Sequence, residues 1–202
     1  MRIKNLEISR GAMLAVALFF YLDRNGIAGD FFLACALHEL GHYVAIKMQG
    51  GKVRALRITC AGAELCLASS WQPSAAEMLI TALAGPGTNL LFAGVSIMLA
   101  RRGVVNLFFF SALNLGLAVF NLLPARWLDG GKALESLLLW RGMVCRSEQV
   151  LCICSWCVAG LFLAVGGILL WQSGGHNFAL LIAGSWMVGA ELFLEGKKER
   201  QK

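Results

Sequence analysis

Charge is what this sequence has least of. Only 15% of its 202 residues are Asp, Glu, Lys or Arg, against about a quarter in a soluble domain, while 58% are hydrophobic. That shortage excludes water as the main solvent of the chain. Proline is also scarce, at three residues. No Pro/Gly/Ser-rich linker, repeat or low-complexity tract divides the chain, which points to one domain over residues 1–202. A continuous basic stripe is missing too. The net charge of +6 comes from short groups of Lys and Arg between apolar runs, so no nucleic-acid partner is expected. The seven cysteines are odd in number and lie mostly in apolar stretches such as Cys152, Cys154 and Cys157, which lack a second ligand cluster. They read as reduced, packing residues. Finally, Leu22-Asp23-Arg24 offers no small-residue cleavage site, so the basic N-terminus with its apolar run is expected to be retained.

What is present is apolar length. Six segments stand out, at residues 8–22, 27–48, 75–100, 104–123, 148–172 and 176–195, most of them near the ~20 residues needed to span a bilayer. The fold expected is an all-α polytopic membrane protein of about six transmembrane helices. Lys and Arg favour cytoplasmic loops. With the N-terminus inside, every basic residue except Arg24, Arg101 and Arg102 falls on the cytoplasmic side, which places both termini in the cytoplasm. Between the second and third segments, residues 52–70 change character. Lys52-Val53-Arg54-Ala55 alternates, Ala61-Gly62 offers a turn, and Glu64-Leu65-Cys66-Leu67 alternates again, as in a small β-hairpin at the cytoplasmic surface. Ser74 and Glu77 then stand in capping-box spacing ahead of the third helix.

Histidine is as rare as proline, with three residues, yet two of them form His38-Glu39-Leu40-Gly41-His42 inside the second apolar segment. On a helix the i, i+4 spacing puts both imidazoles on one face with a carboxylate beside them, an arrangement suited to Zn2+. Three ionisable groups in one turn of a membrane helix are costly, which weighs against plain core packing. A catalytic zinc takes three protein ligands and keeps a fourth position for water, so one ligand lies elsewhere. Of only three aspartates, Asp129 has a patterned setting, after Pro124 and before Gly130-Gly131. It is the expected third ligand; a helix N-cap is the other role open to it. His176 reads as a surface residue, and Cys35, on the His38 side of its helix, as packing.

Three motifs together resemble the site-2 proteases, intramembrane zinc metalloproteases of the M50 type. They are His38-Glu39-x-x-His42, Ala84-Gly85-Pro86-x-x-Asn89, and Asn121-x-x-Pro124 followed after four residues by Asp129-Gly130-Gly131. Their order and spacing are nearest to the six-span, sporulation-factor-processing branch. The resemblance covers roughly residues 27–140, lacks a PDZ insertion and a C-terminal regulatory domain, and has Asn121-Leu122 where Asn-Pro is frequent.

The resemblance implies hydrolysis of a peptide bond in or near a transmembrane segment of a membrane-protein substrate, in a bacterial cytoplasmic membrane, close to its cytoplasmic face. Zinc would be held by His38, His42 and Asp129, with Glu39 as general base. Asn121 has two open roles, donor to the substrate carbonyl or interhelical hydrogen bond. The Ala84–Gly87 stretch is expected to kink or to pack closely beside the site, with Asn89 satisfying freed backbone groups. The hairpin is open between binding an extended substrate and being a plain surface feature. The rival readings are an inactive metal-binding scaffold, a zinc transporter, and a membrane protease with a downstream Glu as third ligand.

Overall fold

The computed structural model describes residues 2–3, 6–23, 26–59, 62–104 and 107–199. They fall into two compact units, Met1–Leu122 and Leu123–Lys202. The first unit carries strands β1 (Arg2–Ile3) and β2 (Leu6–Ile8), helices α1 (Arg10–Leu22) and α2 (Ile27–Met48), strands β3 (Val53–Thr59) and β4 (Gly62–Leu67), and helices α3 (Ala75–Ala100) and α4 (Leu107–Asn121). The second carries α5 (Asp129–Trp140), α6 (Val144–Gln172) and α7 (Ala179–Glu199). The expected mainly helical architecture with a small sheet after the second helix is what is found.

Local chemistry sets the element ends. The Ser9 hydroxyl accepts from the Ala12 amide at 3.1 Å and starts α1. At its far end Asp23 accepts from the Ala28 amide at 2.7 Å, which ties the close of α1 to the start of α2. The capping box read from Ser74 and Glu77 is present in full at the start of α3. The fourth element is shorter than the apolar stretch 104–123, ending at Asn121. The N–H that Pro124 lacks and its restriction of the preceding residue disfavour carrying the helix on.

Small residues make up much of the interior of each unit. Ala28, Ala34, Ala118 and Ala159 are fully buried, while Leu14, Leu91, Met98, Trp171 and Ile182 are largely exposed. This inverts the pattern of a water-soluble bundle and matches helices that pack through small residues and show their large side chains to hydrocarbon. Among the described residues two helices, α3 with 26 residues and α6 with 29, are long and apolar enough to cross a membrane; the apolar stretches Gly11–Leu22, Leu107–Asn121 and Ala179–Leu194 are shorter.

The hairpin is joined by two further strands. β3 and β4 pair antiparallel with Leu56 opposite Leu65, and β2 adds to the other side of β3 in parallel with Leu6 opposite Leu56. β1 pairs with β2, which gives the order β1-β2-β3-β4. An exposed pair, Arg57 Nε to Glu7 Oε2 at 3.2 Å, spans β2 and β3. Ala61 of the expected Ala61-Gly62 turn lies outside the described residues. The first apolar segment therefore begins two residues late as a helix, because Ile8 belongs to the sheet.

Candidate metal centre

His38 and His42 project from the same face of α2, as their spacing requires. Their rings meet edge to face with centroids 4.8 Å apart and Nε2 atoms 3.1 Å apart. Both side chains are buried, at 6% and 9% exposure. Two nitrogens each about 2.0–2.1 Å from a tetrahedral zinc stand about 3.3–3.4 Å apart, so this pair is already spaced for one ion. His42 Nδ1 lies 2.7 Å from the carbonyl oxygen of Thr81 on α3. A carbonyl can only accept, so Nδ1 carries the hydrogen and Nε2 is left with its lone pair directed at His38. The donor set and its tautomer fit Zn2+. Glu39, half-buried, follows His38 on the same turn.

The close approach of α3 to these imidazoles depends on two glycines. At Gly85 an added Cβ would overlap the His42 ring, and at Gly41 it would overlap the Thr88 hydroxyl and the Ala84 carbonyl. Of the Ala84–Gly87 stretch expected to kink or pack beside the site, Gly85 packs closely and Gly87 faces open space, and Gly41, one of the two middle positions of the His38–His42 motif, is fixed by the same crossing. Its signal in the sequence is the pairing of one glycine inside the motif with another in Ala84-Gly85-Pro86. Pro86 sits inside a helix that continues through it. Asn89 is fully buried and reaches the Ala34 carbonyl on α2 with its amide at 3.5 Å, a contact between helices.

Asn121 is the last residue of α4. Its amide donates to the Leu117 carbonyl of its own helix at 3.0 Å. This engages one of two N–H groups. Cys35 lies on α2 half-buried, and His176 is exposed, with its backbone amide donating to the Ser173 hydroxyl at 3.3 Å. Among the described residues no cysteine is in a disulfide.

In the second unit Asp129 is the first residue of α5 and 5% exposed. The N-cap position belongs to Leu128, so the carboxylate does not serve as the cap. It accepts from Lys132 Nζ at 3.0 Å. The loop before it is wound tightly, with the Leu128 amide donating to the Ala125 carbonyl at 2.9 Å and the Gly131 amide to the Leu128 carbonyl at 3.1 Å. A Cβ on Gly131 would strike the Ala125 carbonyl, which explains a glycine two residues after the carboxylate.

Comparison with known proteins follows the same lines. Residues 11–130 match the family described as Peptidase M50B-like, and residues 97–165 match Peptidase family M50. A candidate zinc metalloprotease of Synechocystis sp. is 33% identical over 120 residues, which are 54% of this chain and 30% of that protein. A zinc metalloprotease of Methanocaldococcus jannaschii is 31% identical over 113 residues, 53% of this chain and 32% of its own length. Each alignment thus takes in about a third of the relative's length. The solved site-2 protease from Methanocaldococcus jannaschii has a similar fold, with a TM-score of 0.68 over 95% of this chain and 91% of that one at 20% identity.

Proposed function

Because the chain belongs to the M50B-like peptidase family, we propose that it is an intramembrane zinc metallopeptidase of the site-2 protease type, cleaving membrane-protein substrates in or near a transmembrane segment. The observation that carries this reading is the pair of buried imidazole nitrogens on α2, 3.1 Å apart, with the His42 tautomer set by Thr81. The ligands are His38, His42 and Asp129. When bound, the ion supplies a water acidified toward neutrality and a Lewis acid for the scissile carbonyl. Glu39 takes the proton of that water and passes it to the leaving amine nitrogen. Asn121 keeps one N–H in its helix and offers the second to the substrate carbonyl, where hydrogen bonding strengthens as negative charge develops. The chain works as one domain with about six spans and both termini in the cytoplasm, and it cuts near that face, as in the sporulation-factor-processing branch. A zinc-only scaffold or transporter has no use for a base at Glu39.

The test is Glu39→Gln in the full chain. Purified protein should keep its zinc content, while membranes carrying the variant lose the cytoplasmic fragments released by the parent. Fragments that persist at parental levels would end the mechanism, and loss of zinc would show that Glu39 is a ligand and not the base.

A further inference from the structure

α7 carries a charge that the proposed mechanism does not use. Glu191 is the sole charged residue between positions 178 and 194, and it is completely buried. A carboxylate in an apolar helix is costly unless paired, and its Oε1 is buried with no hydrogen-bond partner. Its other oxygen lies 3.4 Å from Nη1 of Arg126, itself mostly buried. Arg126 is held by two further bonds: Nη2 donates to the Glu148 carbonyl on α6 at 3.2 Å, and its backbone amide donates to the buried Ser155 hydroxyl on α6 at 2.9 Å. The planar guanidinium can satisfy two acceptors on different helices at fixed angles, which an ammonium group cannot do as rigidly.

Arg126 stands three residues before Asp129, in the tightly wound loop whose Ala125 carbonyl receives the Leu128 amide and abuts Gly131. Little slack separates the two residues, so whatever fixes Arg126 fixes the backbone from which Asp129 projects. We infer that Glu191 is a positioning residue for Asp129, acting through Arg126, so that the last helix helps set zinc affinity from outside the ligand set. This rests on the proposed ligand role of Asp129. Groups that orient a ligand characteristically change metal affinity about 10- to 100-fold when removed.

The test is a double-mutant cycle on the detergent-solubilised full chain, with Zn2+ affinity read by competition against a chromophoric chelator. Glu191→Gln should weaken zinc about tenfold, and Asp129→Asn should weaken it far more. In the Asp129→Asn background the Glu191→Gln change should have no further effect, because the residue it positions is gone. To separate positioning from folding, Arg126→Met/Glu191→Leu removes both charges together, a replacement that buried ion pairs often tolerate. This variant should keep the parental thermal midpoint and still bind zinc about as weakly as Glu191→Gln. Parental zinc affinity in Glu191→Gln or in the apolar double variant, with Asp129→Asn impaired, overturns the positioning role alone. An undiminished Glu191→Gln effect in the Asp129→Asn background overturns it as well. Parental affinity in Asp129→Asn overturns the ligand assignment and the positioning role with it.

Discussion

The His42 imidazole occupies the space that a single methyl group on Gly85 would fill. The ring cannot swing away without losing the 2.7 Å bond from Nδ1 to the Thr81 carbonyl one turn earlier on the same helix. α3 therefore aims a ligand carried by α2, through a hydrogen bond on one ring edge and an absent side chain at the other.

Gly85→Ala should for this reason cost zinc as well as stability. A Cβ there forces the ring or the helix to move, and overpacking of this kind costs about 1–3 kcal/mol. Gly87, two residues on, has nothing within 4 Å of a built Cβ. Gly87→Ala should then be neutral or stabilising by up to about 1 kcal/mol, as expected for glycine replaced inside a helix. Zinc stoichiometry and the thermal midpoint of both variants check the pair of expectations. Full zinc in Gly85→Ala with an unchanged midpoint would mean that the helix crossing yields to a methyl group at no cost.

Zinc should stabilise the fold measurably. Two imidazole nitrogens held 3.1 Å apart and buried gain from an ion that binds the native chain alone. Such binding contributes about 2.7 kcal/mol when zinc exceeds its dissociation constant a hundredfold. The midpoint should rise with zinc, fall with chelator, and show neither shift in His42→Ala. An equal shift in His42→Ala would place the bound ion elsewhere and return the histidines to core packing.

How much of this could be read from residues alone depends on whether the signal was local. The His38–His42 motif, the Ser74–Glu77 cap and the β3–β4 hairpin all are, since spacing of three, four or alternating positions maps directly onto one turn or one strand. β1 and β2 were not legible: Leu6-Glu7-Ile8 is too short to show alternation, and its partners lie 50 positions away. Gly41 and Gly85 carry no periodic signal either, because their importance arises only where two helices cross. The bond that Asn121 makes within its own helix was not legible either, for a related reason. A terminal asparagine can serve its own helix as readily as a neighbour, and composition does not distinguish the two. Glu191 carries no local signal, because one acid in an apolar run acquires meaning only through Arg126, 65 positions earlier.

The sheet yields the last prediction. A helical substrate must be unwound for hydrolysis, and its exposed backbone groups then need partners. An open strand edge offers them. β3 is flanked by β2 along Leu56–Ile58 and by β4 along its length, so among the described residues the long open edge belongs to β4. Amides of neighbouring residues in a strand point to opposite sides, so of Leu65 and Cys66 one faces β3 and the other faces outward. Proline at the inward position should disrupt the hairpin. At the outward position it should leave fold and zinc content intact and slow cleavage several-fold, the loss expected for one hydrogen bond of about 1 kcal/mol. Cleavage at the parental rate by both variants, each shown to be folded and zinc-loaded, would remove the sheet edge from substrate binding and leave it a surface hairpin.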